Sequence, residues 1–252
     1  GAIFRGYRDT PYPANFLLHE ILQRGGSVCL SSDAHSTAAI GFRFAEGLDL
    51  LRAIGQHTVY VLISAAIGFA VGLVFGILLS RVPRWLSGII IPILSIFQTI
   101  PGLVFIGVLF IWWGNIYPTV IVALSVYAMF PVLKNTYTGI LEVEPKYIEA
   151  AKGCGMSSFQ TLVRVELPLA MPVIISGLRM AAIYTVSWAV LASMIGLGGL
   201  GDFVYRGTSS NNNTLILLGA IPAAILAVLF GLVIDLLQKR VTPRGLRKEA
   251  GK

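Results

Sequence analysis

The second part of the chain is written in long uncharged stretches. His57–Ser80 and Trp85–Leu133 hold no charged residue, Leu167–Gly201 holds only Arg179, and Gly207–Ile234 holds none. An uncharged apolar run of about 18 residues or more reads as a membrane span, because backbone polar groups must be satisfied internally in lipid. The runs are continuous rather than alternating, so they predict helices and not barrel strands. Five helices are expected, at about 58–80, 86–112, 116–138, 169–195 and 213–236. Pro92 and Pro101-Gly102 fall inside the second, which predicts a kink or a partly unwound stretch near Gln98-Thr99. Trp112, Trp113 and Tyr117 sit where an interfacial aromatic belt belongs.

Composition sharpens this reading. The 252 residues are 56% hydrophobic and 12% charged, about half the charge of an ordinary soluble domain. The net charge of +7 lies wholly in residues 56–252, whereas residues 1–55 carry five basic and five acidic residues. A positive balance on a membrane protein marks its cytoplasmic side rather than a nucleic-acid partner. Arg81 and Arg84 follow the first helix, Lys146, Lys152 and Arg164 lie in the polar loop after the third, and Lys239, Arg240, Arg244, Arg247, Lys248 and Lys252 close the chain. With five helices these groups share one side, which places the C-terminus in the cytoplasm and the N-terminal part outside. Arg179, Lys134 and Asp235 are expected to snorkel towards the cytoplasmic interface. Cys29 and Cys154 make neither a disulfide framework nor a metal cluster.

The polar loop Leu141–Pro168 carries the most information. Pro145 suits the first turn of a short helix over Pro145–Lys152, and Gly153 and Gly155 would stop it. Ser157 can cap a second helix over Ser158–Glu166, which Pro168 is expected to end. The fold class is therefore all-α: a polytopic membrane protein of about five transmembrane helices with a cytoplasmic helix–turn–helix, preceded by a short soluble α/β fragment.

This loop resembles the EAA motif of the membrane subunits of ABC importers. Glu149-Ala150-Ala151 is followed at the family's spacing by Gly155, Val165, Leu167 and Pro168, with valine where isoleucine is commoner. The resemblance covers about residues 56–240. Ser95–Gly107, Phe130–Ile140 and Ile195–Gly207 look like the permeases for glycine betaine, choline, carnitine and related osmoprotectants; methionine and phosphonate importers are similar but differ around Gln98–Pro101 and Lys134–Tyr137. The resemblance implies that Glu149, Ala150, Ala151, Gly155, Leu167 and Pro168 belong to coupling helices that dock on separate ATPase subunits. It implies a second permease copy (a homodimer or a close heterodimer), an external substrate-binding protein and a prokaryotic cytoplasmic membrane. The chain is then a transport subunit, not an enzyme, and is expected to bind no cofactor; it has no G-x-x-x-x-G-K-[ST] loop for ATP.

Gln98, Thr99, Tyr127, Tyr184, Ser187 and Trp188 are the polar or aromatic candidates for the translocation pathway, although each also fits ordinary helix packing. Gly198, Gly199, Gly201 and Asp202 belong to a glycine-rich turn that the resemblance places at the outer gate; a flexible connector accounts for it equally well. A channel or secondary transporter would need internal repeats or an intramembrane acid, and no Asp or Glu lies between residues 50 and 141.

Residues 1–55 read as helix, strand (Val28-Cys29-Leu30), turn and helix, and the first 40 lack the apolar core of a signal peptide. Ser32-Asp33-Ala34-His35 looks like the C-terminal end of a PHP-type metal-dependent phosphoesterase such as histidinol phosphatase, where the matching Asp and His (here Asp33 and His35) are metal ligands. The other ligands such a site needs are absent, so no metal is expected and the segment reads as a truncated, non-functional graft on the domain at 56–240; residues 241–252 form a basic tail. That the chain begins at Gly1 rather than at a methionine fits trimming or assembly from pieces. A membrane-tethered phosphatase is the alternative of another class.

Overall fold

The computed structural model describes residues 44–242. The helices are α1 (Phe44–Arg81), α2 (Arg84–Thr99), α3 (Gly102–Trp113), α4 (Ile116–Leu141), α5 (Pro145–Gly153), α6 (Ser158–Thr161), α7 (Leu167–Ala192), α8 (Leu200–Ser209) and α9 (Asn213–Val241). A π turn, Leu162–Glu166, joins α6 to α7, and a 3₁₀ turn, Ser193–Ile195, follows α7. Ala53–Lys252 form one compact unit; of the other, Gly1–Arg52, the described part is the start of α1. The expected strand at Val28–Leu30, the remnant ligands Asp33 and His35 and the basic tail beyond Thr242 lie outside the described residues.

Four stretches are long and apolar enough to cross a membrane: Gly47–Arg81, Ile116–Leu141, Ser158–Ala192 and Asn213–Val241. The pair α2 and α3 makes a fifth if it is one broken span, bent by 90°. Three expectations need correction. The helix at 86–112 is two helices, because Pro101 has no N–H to continue the ladder and forces Ile100 into an extended conformation (φ −70°, ψ 127°). The first membrane helix begins at Phe44 instead of near 58, because the last helix read in residues 1–55 runs into it without a break. Pro168 does not end the helix before it. It sits in the first turn of α7, where its missing N–H is harmless, and the π turn carries the chain straight from α6 into α7.

The core lies between α4 and α7. Small residues set the spacing of α1 against α4: Gly68, Gly72 and Gly76 fall one turn apart, and a Cβ on any of them would come within 2.5 Å of Ala128, Met129 or Thr136. Such small-residue seams let helix backbones touch where lipid supplies no hydrophobic drive between helices. An outer cluster (Val61, Ile106, Val120, Leu124, Val186, Ala189) ties α3 to α1, α4 and α7. An inner cluster (Ile140, Val143, Ala170, Ile174) closes the end of the bundle next to the Leu141–Pro168 loop.

Arg179 and Asp235 do not snorkel independently. They meet across α7 and α9 at 2.9 Å, Nε to Oδ1. One helical turn further on, Gln238 Nε2 donates to the Pro172 carbonyl at 2.8 Å and to Ser176 Oγ at 3.2 Å, a second polar pin between the same helices. In a low-dielectric surround two opposite charges are cheaper paired than separately hydrated.

Candidate functional site

The polar arm made of α5 and α6 is built from local signals. Pro145 opens α5, and Lys146 Nζ folds back on Glu144 at 2.6 Å. That hydrogen bond raises the Lys146 pKa above the ordinary lysine value. At the other end Gly155 adopts φ +78°. Its N–H donates to the Lys152 carbonyl (2.9 Å) and the Met156 N–H to the Ala151 carbonyl (3.1 Å). This is the Schellman pattern, which needs a left-handed residue at that position and so favours glycine. Two residues later a capping box starts α6: Ser157 Oγ accepts from Gln160 N–H (3.3 Å), and Gln160 Oε1 accepts from Ser157 N–H (2.8 Å).

The arm is anchored on one side and open on the other. Ala151 is buried, and Ile148, Leu162 and Leu167 pack on the inner cluster. Glu149, Ala150 and Gly155 are exposed, while Pro168 is half-buried in α7. Tyr147 and Phe159 stand out from the same arm, Phe159 with 74% of its surface exposed. The motif does not include them; an aromatic on a polar loop was the only signal that could have drawn attention to them. The carboxylate of Glu166, buried in the π turn, is held on both oxygens by the Arg81 guanidinium at the end of α1.

At the break between α2 and α3, three of the six pathway candidates come together. Tyr127 and Trp188 stack with ring centroids 4.9 Å apart and planes 16° from parallel. Tyr127 Oη donates to the Ile100 carbonyl (2.7 Å), and Gln98 Nε2 donates to the Tyr127 carbonyl (3.4 Å). Gly102 lies against the Trp188 ring, where a Cβ would sit 2.2 Å from it. Thr99, Tyr184 and Ser187 are not part of this cluster. Thr99 and Ser187 are exposed and satisfy their hydroxyls on their own helices, and Tyr184 is also exposed.

The glycine-rich turn is ordered into a helix. Gly198 and Gly199 take φ +80° and +82°, Gly201 is buried, and α8 follows at once. Ser193 Oγ donates to the Gly198 carbonyl at 2.6 Å. Asp202 pairs with Arg206 one turn along α8 (3.1 Å). His57, missed as a structural residue, is buried beneath Gly199. Among the described residues no group of His, Cys, Asp and Glu could hold a metal ion.

Residues 68–246 match the family described as the binding-protein-dependent transport system inner membrane component. The chain belongs to that family. It is 38% identical to the carnitine transport permease protein OpuCB of Listeria monocytogenes, over 84% of this chain and 96% of that one. It is 42% identical to the glycine betaine/carnitine/choline transport system permease protein OpuCD of Bacillus subtilis, over 77% and 82%. Among solved structures, a chain of the MetNI methionine ABC transporter in an inward-facing conformation superposes with a TM-score of 0.70 at 24% identity, covering 78% of this chain and 97% of that one. At that identity the likeness concerns the fold. The protein is thus a multi-pass permease subunit of an ABC importer, a transport component rather than an enzyme, and as such works with ATPase subunits and a substrate-binding protein.

Proposed function

We propose that this permease carries quaternary-amine osmoprotectants of the glycine betaine, choline and carnitine class. The observation that carries the substrate class is the similarity, over most of the chain, to permeases named for those compounds. In this reading two permease copies enclose the pathway, the C-terminus is cytoplasmic, and the chain binds neither ATP nor metal. The basic residues Arg81, Arg84, Lys146, Lys152, Arg164, Lys239 and Arg240 support that orientation, since all fall at one set of helix ends.

The arm supports the coupling role. Glu149, Ala150 and Gly155 form its open side, and Tyr147 and Phe159 supply the kind of exposed aromatic anchor that dominates binding interfaces. Closure of the ATPases would push on α5, and its rigid caps would pass that push to α4 and α7. Gln98, Tyr127 and Trp188 would shape the pathway at the broken helix, whereas Gly198, Gly199, Gly201 and Asp202 would shape its outer end.

The test is uptake of labelled glycine betaine, choline, carnitine and methionine by vesicles holding the permease with its ATPase and binding protein. ATP-driven uptake of a quaternary amine supports the proposal. Uptake of methionine alone would overturn the substrate class. Glu149→Ala is expected to lose the ATPase subunit on purification; full retention and full uptake would overturn the coupling role of the arm.

A further inference from the structure

The arm touches three membrane helices, but the chain joins it to only two of them. It continues into α7 through the π turn and follows directly from α4. Any force on α5 therefore reaches α4 and α7 along the backbone. Helix α1 ends at Arg81, 85 residues before Glu166, and has no such connection. It meets the arm through side chains.

Two observations make that junction specific. Phe69, Leu73 and Ile77, spaced along one face of α1, pack on the same inner cluster as Ile148 and Leu162 of the arm. At the edge of this contact Glu166 presents a side chain that is 4% exposed, and the half-exposed Arg81 reaches over to it, with Nη1 3.3 Å from Oε1 and Nη2 on Oε2. A two-pronged guanidinium–carboxylate pair fixes orientation as well as distance. A buried carboxylate that loses its cation is left uncompensated, so the two groups should move together rather than part. The carboxylate sits in a π turn, a widened turn often found at functional positions.

We propose that the Arg81–Glu166 pair is a positioning link that makes α1 follow the coupling arm during ATP-driven switching. This rests on the coupling role of the arm proposed above. Without the pair, α4 and α7 still receive the push, but α1 lags along its glycine seam and the cycle hydrolyses ATP with less transport.

The full importer, with ATPase and binding protein, is purified with Arg81→Gln, Glu166→Gln and both changes together, and transport per ATP hydrolysed is measured in vesicles. Each single variant is expected to keep its ATPase subunit and to lower uptake per ATP about ten-fold. The double variant should fall no further than either single one, as expected for two residues acting through one contact. Arg81→Lys, which keeps the charge and loses the fork, should lie between. If Glu166→Gln fails to accumulate, Arg81→Gln decides, since its side chain is half exposed. Unchanged uptake per ATP in the surviving variants, even with lower thermal stability, overturns the link and leaves a merely structural pair. Additive losses in the double variant also overturn it. Failure of the coupling role would show separately, as Glu149→Ala retaining its ATPase.

Discussion

Two interruptions of helix can be compared, one in the polar arm and one among the apolar helices. Between α5 and α6 the chain breaks at Gly155 and restarts at Ser157, and each bond that shapes the break joins residues no more than five positions apart. Between α2 and α3 it breaks at Ile100-Pro101, and the groups that hold the break come from Tyr127 and Trp188, far along the chain. The first break carries its own specification; the second is shaped by tertiary packing. A locally capped turn stays rigid when its surroundings shift, which suits an element that transmits force. A break held from outside responds to whatever its neighbours do, which suits a segment beside a pathway.

Substitutions should separate the two. The largest effect is expected at Gly102→Val, which drives side-chain atoms into the Trp188 ring; overpacking of this kind costs about 1–3 kcal/mol or more, and loss of membrane accumulation would report it. Trp188→Leu in the same chain should restore part of the yield. Gly155→Ala forces a Cβ into the left-handed region at about 1–2 kcal/mol, but with open space around it. It should leave the yield near wild type and weaken ATPase retention on purification. Tyr127→Phe keeps the stack on Trp188 and removes one hydrogen bond to Ile100, about 1 kcal/mol, read as a small drop in melting temperature in detergent. Ser157→Ala removes half of the capping box, about 1 kcal/mol confined to α6, and should appear as faster local hydrogen exchange with the melting temperature unmoved. A large fall in yield from Gly155→Ala, or none from Gly102→Val, would break the comparison.

The same contrast explains what was legible in the sequence. The arm could be read because its signals are local: Pro145 at a helix start, a left-handed glycine at Gly155 and Ser157 paired with Gln160. The apolar runs likewise announced the spans. What the sequence could not show was partnership across distance. Arg179 and Asp235 each look like a lone charge near the interface until α7 and α9 are side by side. Pro101 announces a disturbance, but the 90° bend depends on where Trp188 and Tyr127 stand. Of the pathway candidates chosen for being polar or aromatic, Gln98, Tyr127 and Trp188 converge, and Thr99, Tyr184 and Ser187 do not, because helix phase rather than residue type decides which way each one faces. Pro168 misled in the opposite sense, since a proline that ends one helix and a proline that begins another look alike without the π turn before it.

That turn also acts as an indexing mechanism. A π turn is an α-helix with one residue too many, and each residue of an α-helix advances the chain by about 100° around its axis. Everything before Leu162 is therefore clocked against everything after Glu166 by a single surplus residue. Deleting one residue from Leu162–Arg164 would leave a smooth helix and every typed residue of the motif, but set Leu167-Pro168 one position closer to Gly155. It would also swing the face that carries Phe159 by about a quarter of a revolution, away from any surface built to receive it.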